Sequence, residues 1–373
     1  MSLDQRAEKL AEIAINHSTN IQEGDRLFVF GEPEFTDFAV FLGSLAMQKG
    51  ARVFYDLQSV KEKRALIEVN DKELLAAESE RLCTIVEEST AVIKLNATTD
   101  PYFLKDVAPE KVADYVRMVR KPVGDRIMGD GKDFQEKKWL VLGYPCEALA
   151  RDAGMSLADY ETFFYGATNR DWKAERARME SLKALFDDAE DVHIVVSGQT
   201  DLHLSLRGRG AAIGDGRHNM PDGEIWYAPV EDSAYGTVYF DYPSVRDGNE
   251  VQGIILKLGN GEITGYDAKQ NFPFLEKMLS LKGAKRLGEF GIGCNRGITQ
   301  YTKNLLTDEK IGGTVHITPG QAYKTPLSAG GGLNESDIHW DLVLELRKIN
   351  NNPGGKIWVD GELAQENGVW VYK

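Results

Sequence analysis

Two of the chain's six histidines sit beside residues that could share chemistry with them. In SDIHWDLVLEL (Ser336–Leu346), Asp341 follows His339 after a single tryptophan. In a β-strand, residues i and i+2 point to the same face, so such a strand would hold this imidazole and carboxylate side by side. The couple could bind a divalent metal, act as a catalytic pair, or form a buried hydrogen-bonded pair. The second histidine, His316, lies in TDEKIGGTVHITPGQAY, which also offers Glu309 and, past a Pro-Gly turn, Tyr323. Glu224 follows a Pro-Asp-Gly turn in NMPDGEIWYAP, and Glu289 stands in the apolar, glycine-flanked RLGEFGIG, where an unpaired carboxylate would be costly. Together Glu224, Glu289, Glu309 and Asp341 bring four negative charges, and His316 and His339 two neutral nitrogens. That mixture balances two divalent cations, the requirement of a bimetallic hydrolase in which one carboxylate and an activated water bridge the ions.

These residues need strands to position them, and the second half of the chain supplies them. After about Ala189 the texture turns to short strands separated by Gly, Asp and Pro, among them VHIVVSG, LHLSLRG, EIWYAPV, GTVYFDY and GTVHIT, with hairpin signals at Asn260-Gly261 and Asp247-Gly248. The first half reads instead as α/β. RLFVFG, a helical stretch from Thr36 to Gly50, and ARVFYDL form one βαβ unit, with further strands at Ala91–Leu95 and Trp139–Tyr144. The expected architecture is an α/β fold: an N-terminal α/β domain (1–185) with a mainly parallel sheet, then a mixed α+β domain (186–373), rich in antiparallel strands, that carries the site.

Composition narrows the function. With 373 residues, 42% hydrophobic and 27% charged, the chain can bury large cores. A formal charge of −14 argues against nucleic acid and anionic membranes as partners. No apolar run approaches a membrane span, and the polar N-terminus has no signal core, so a cytoplasmic protein is expected. Cys83, Cys146 and Cys294 read as reduced thiols, Cys294 as a packed one. GEFGIG reverses the spacing of a dinucleotide fingerprint, and no P-loop exists, which argues against nucleotide binding.

Several motifs in order resemble one known family, the thermophilic metallo-aminopeptidases that include aminopeptidase T, aminopeptidase S and PepS. GMSLADYETFFYGATNRDW (Gly154–Trp172), NMPDGEIWYAPVEDS, RLGEFGIGCN, DEKIGGTVHITPGQAY and SDIHWD carry the resemblance. It implies a homodimeric exopeptidase that removes N-terminal residues from peptides with a free N-terminus, using two divalent ions such as Zn, Co or Mn. By position, the implied metal ligands are Glu224, Glu289, Glu309, His316, His339 and Asp341. Within that site Tyr323 is the expected donor to the tetrahedral oxyanion, Glu289 the expected bridge because its apolar context most needs metal charge, and Glu224 the ligand expected to shuttle the proton. Two other readings use the same residues: a hydrolase of another small amide or dipeptide, and a non-catalytic α/β binding protein with a structural polar cluster.

Overall fold

A computed structural model of the chain describes residues 3–129, 133–246, 248–323 and 331–371. They form two compact units, Met1–Arg170 with Gly216–Pro221, and Asp171–Asp215 with Asp222–Lys373.

The first unit is built on a parallel sheet. Its strands run Arg52–Leu57, Arg26–Gly31, Ala91–Asn96, Lys138–Gly143 and Asn219–Met220 across the sheet, and every pairing is parallel. A crossover helix, Thr36–Gln48, joins the first two in sequence, as a parallel pair requires. Its other helices begin where the sequence supplies caps. Ser59 and Glu62 form a capping box ahead of Val60–Val69, and Asp71 accepts from two amides at the start of Lys72–Glu88.

In the second unit two antiparallel sheets share one core. Strands Val192–Val196 and Thr200–Leu204 lie in an eight-stranded sheet, whose Ile254–Gly259 and Glu262–Asp267 strands turn at Asn260-Gly261, both with positive φ. Asp247, of the other expected turn, lies outside the described residues, although Ser244–Arg246 and Asn249–Val251 on either side of it pair antiparallel. The second sheet has five strands, in the order Leu342–Leu344, Val315–Pro319, Leu287–Gly293, Glu224–Tyr227 and Ala211–Gly214.

Alternation along this five-stranded sheet decides what faces the core. Ile225, Tyr227, Phe290, Ile292, Val315, Ile317, Leu342 and Leu344 all enter the core, together with Val192, Ile194, Leu202 and Leu204 from the eight-stranded sheet. Each such large side chain contributes about 1.5–3 kcal/mol by burial. The intervening residues therefore project from the opposite face, and they include Glu224, Glu289, Gly291, His316 and Thr318.

The Ser336–Leu346 stretch keeps its predicted alternation but not a continuous ladder. Ile338, Trp340, Leu342, Leu344 and Leu346 all join the core, while the regular strand is confined to Leu342–Leu344. Pro319 on the partner strand has no N–H to donate, which interrupts the pairing. The register nevertheless continues, since Ile317 faces Leu342 and Gly320 faces His339.

Candidate metal centre

The outward face of the five-stranded sheet gathers five of the seven residues singled out from sequence. Glu289 lies at its centre, with one carboxylate oxygen toward each histidine. Its Oε1 is 2.8 Å from His316 Nε2, and its Oε2 is 3.8 Å from His339 Nε2. Beyond His316, Glu224 Oε2 lies 3.7 Å from the same Nε2. Beyond His339, Asp341 Oδ1 lies 3.1 Å from its Nε2. Two groups of possible ligands result, Glu224–Glu289–His316 and Glu289–His339–Asp341, each with its donor atoms within 4.8 Å of one another. Glu289 belongs to both.

The backbone aims these rings. His316 Nδ1 is 3.0 Å from the Glu309 carbonyl, and His339 Nδ1 is 2.7 Å from the Gln321 carbonyl. Carbonyls only accept, so each Nδ1 carries the proton and each Nε2 is left to face the carboxylates or a metal. Thr318 donates its hydroxyl to Asp341 Oδ1 at 2.6 Å, fixing that carboxylate from the neighbouring strand. Space for the His316 ring depends on Gly291 directly opposite, where a Cβ would stand 1.9 Å from Nε2. A glycine in an otherwise strand-forming run is thereby explained by close approach.

Two expected residues stand at the margin. Glu309 joins neither ligand group among the described residues, and its Oε1 is bonded to Lys310 Nζ. Lys310 also lies 3.1 Å from Glu224 Oε1, so the ammonium ties the two glutamates together. Tyr323 packs its ring 4.9 Å from that of His339, tilted by 51°, and keeps 38% of its surface exposed.

Burial sets the electrostatics. Desolvation raises the pKa of Glu289, and it pushes Glu309 up to about 8 despite the opposing charge of Lys310. Desolvation opposes charging of His316, but the Glu289 hydrogen bond and Glu224 outweigh it and raise the ring to about 9. For His339 the Asp341 charge and hydrogen bond likewise overcome desolvation, to about 10, and His339 in turn holds Asp341 far below the usual carboxylate range. Tyr323 is raised by desolvation of its hydroxyl and by the nearby carboxylates, Glu289 first. Without a metal, the face thus uses protons as its counter-cations.

Several features indicate that the residues suit divalent ions. Glu224 Oε2 is buried with no hydrogen-bond partner, although it points at an imidazole nitrogen. Four carboxylates against the single Lys310 ammonium leave three negative charges, close to the four positive charges of two divalent cations. The donors are all nitrogen or carboxylate oxygen, a set that suits zinc, cobalt and manganese.

Sequence reasoning did not single out Lys310, Thr318 or Gly291. Lys310 was the most detectable, since a lysine followed by an apolar and glycine run must find carboxylates if buried, and it is fully buried. Thr318 and Gly291 act only through cross-strand register, which is invisible before the sheet is known.

Similarity to known proteins follows the same lines. Aminopeptidase 2 of Geobacillus stearothermophilus is 23% identical, over 99% of this chain and 98% of its own length. Among solved structures, wild-type AmpT from Thermus thermophilus superposes with a TM-score of 0.82 at 23% identity, covering 99% of each chain. A 2,5-dihydroxypyridine dioxygenase from Pseudomonas putida KT2440 shares the fold at a TM-score of 0.62 and 15% identity, over 100% of this chain and 99% of its own. The architecture therefore does not by itself select a reaction. The sequence profile of the thermophilic metalloproteases (M29) matches residues 3–370, and the chain belongs to that family.

Proposed function

We propose that this protein is a dinuclear metal-dependent aminopeptidase that hydrolyses the N-terminal residue from peptides. The observation that carries the dinuclear reading is the division of Glu289, with one oxygen toward each histidine. In this reading Glu224, Glu289 and His316 hold one ion, Glu289, His339 and Asp341 hold the other, and Glu309 completes the side it shares with Glu224 through Lys310. When bound, the ions would supply Lewis acidity toward the scissile carbonyl, an anchor for the substrate's free amine, and a bridging water of lowered pKa.

The chain's own groups do the rest. Tyr323, beside His339 at the exposed margin, is the donor to the developing oxyanion. Glu224 and Glu309 are the carboxylates available to shuttle the proton. The second unit is the catalytic part, and it holds the stretch 186–373 apart from Gly216–Pro221, which belongs to the first. Three buried cysteines without disulfides support a reducing, cytoplasmic setting, and no helix among the described residues is long and apolar enough to cross a membrane. Assembly as a homodimer is part of the proposal, tested by light scattering in solution.

The central test is hydrolysis of a leucine chromogenic amide by chelator-stripped protein, before and after addition of zinc, cobalt or manganese. Activity should appear only with metal, and the N-acetylated substrate should not be cleaved. Equal cleavage of the acetylated substrate would instead identify a hydrolase of other small amides. Inactivity with every metal, with the fold intact, would favour a binding protein.

A further inference from the structure

A second histidine–carboxylate group lies on the other sheet of the second unit, on the face turned away from the core. Val192, Ile194, Leu202 and Leu204 point into the core, so His193, Asp201 and His203 project outward between them. His193 and His203 are directly opposite in an antiparallel pair. Their rings stack 3.8 Å apart at 10°, and the stack continues on both sides. Tyr235 lies 4.6 Å from His203 at 4°, and Trp358 lies 5.4 Å from His193 at 28°. Four rings in a row hold both imidazoles in fixed orientations.

Both Nε2 atoms address one carboxylate oxygen. Asp201 Oδ1 is 2.8 Å from His193 Nε2 and 3.8 Å from His203 Nε2. On its far side, His203 Nδ1 is 2.8 Å from Asp191 Oδ1. A proton on that Nδ1, given to Asp191, leaves a lone pair on Nε2 facing the Asp201 oxygen. A cation between them would satisfy both acceptors. A carboxylate orienting the far nitrogen of an imidazole is also the usual support of a metal-ligating histidine. The three donor atoms lie within 4.8 Å of one another.

We propose that His193, His203 and Asp201 form a surface binding site for a borderline divalent cation, zinc or copper(II), with Asp191 as a positioning residue. Two imidazoles and a carboxylate match the preferences of those ions, and copper(II) should bind more tightly. The exposed setting leaves coordination positions to water. The catalytic proposal does not use this group, and the two readings fail independently.

Copper(II) titrated into the zinc-loaded holoenzyme is the direct test, because Trp358 reports on the cluster. Binding of one equivalent should quench part of the tryptophan fluorescence and give an electron paramagnetic resonance spectrum with nitrogen splitting. Trp358→Phe should remove that quenching while keeping the spectrum. Replacing both histidines, His193→Asn with His203→Asn, should abolish both signals and leave leucine-amide hydrolysis unchanged. Asp191→Ala should weaken binding by about 10- to 100-fold. Unaltered copper binding in the double variant, or no equivalent bound beyond the holoenzyme's own metal, would overturn the site.

Discussion

The second unit carries two groups of histidines and carboxylates on β-sheet faces, and they differ chiefly in water. Around Glu289 the side chains are buried, Glu289 itself 6% exposed, whereas Asp201 of the outer group is 74% exposed. Donor atoms of the same kinds thus meet different physics. Water can solvate the outer carboxylates, so that group tolerates the lack of a cation. The inner carboxylates have lost most of their hydration and must be matched by protons, Lys310 or metal ions. Function that depends absolutely on a cation belongs where the protein cannot do without one.

The largest expected break in this comparison comes from the shared carboxylate. Glu289→Gln removes a ligand from both proposed ions, and metal content measured by atomic spectroscopy should fall together with activity, to background. Asp201→Asn should leave activity intact. A Glu289→Gln protein that keeps both ions and full turnover would dismantle the dinuclear reading.

Next is Lys310→Met, which strips the ammonium from between Glu224 and Glu309. Removing one member of a buried charge network costs about 3–5 kcal/mol. The deficit should be largest in chelator-treated protein and smaller with metal present, as read by denaturant unfolding in both states. An equal deficit in both would mean that the ions do not share Lys310's role.

Tyr323→Phe probes the exposed rim of the buried group. Loss of one oxyanion donor lowers kcat by roughly 10²- to 10³-fold. KM should change little, since the phenol acts on the transition state. A change confined to KM would reassign Tyr323 to substrate binding.

The sequence already contained the reason the inner group could be found. Glu289 in an apolar run and the His339–Asp341 alternation both reflect burial, which constrains local pattern. The expected Ile338–Leu346 alternation survives in full, while the interrupted ladder depends on Pro319, on a partner strand that a reading of this segment alone does not include. Asn219–Met220 as a fifth strand of the first unit's parallel sheet was not legible at all, because two residues carry no periodicity. Nor was the outer group, where His193 and His203 belong to two separate strands and only their direct register brings the rings together.

Smaller in effect is a dependence on pH that should separate metal-free from metal-loaded protein. An imidazole raised from about 6.5 in the unfolded chain stabilises the fold fully below that pH and progressively less as pH climbs. For His316 and His339 the loss completes as pH passes about 9 and about 10. Asp341, held low, contributes above about 3.9 and loses that contribution in acid. Glu309, raised to about 8, adds to the decline as it ionises above the free glutamate value of about 4.3, so chelator-treated protein should lose thermal stability from there toward pH 10. Bound ions require unprotonated Nε2 atoms, so metal affinity rises with pH and the loaded protein should resist that decline. Parallel melting curves with and without chelator would refute the idea that protons stand in for metal.

The smallest effect should belong to the outer group. His203→Asn removes one cross-strand stacked pair in contact with water, worth about 0.2–1 kcal/mol. Stability should fall by no more than that, and metal content and turnover at the Glu289 face should be unchanged. A substantial loss of activity in a folded His203→Asn protein would show that the two groups are coupled through the shared core. The difference in hydration would then no longer explain their different roles.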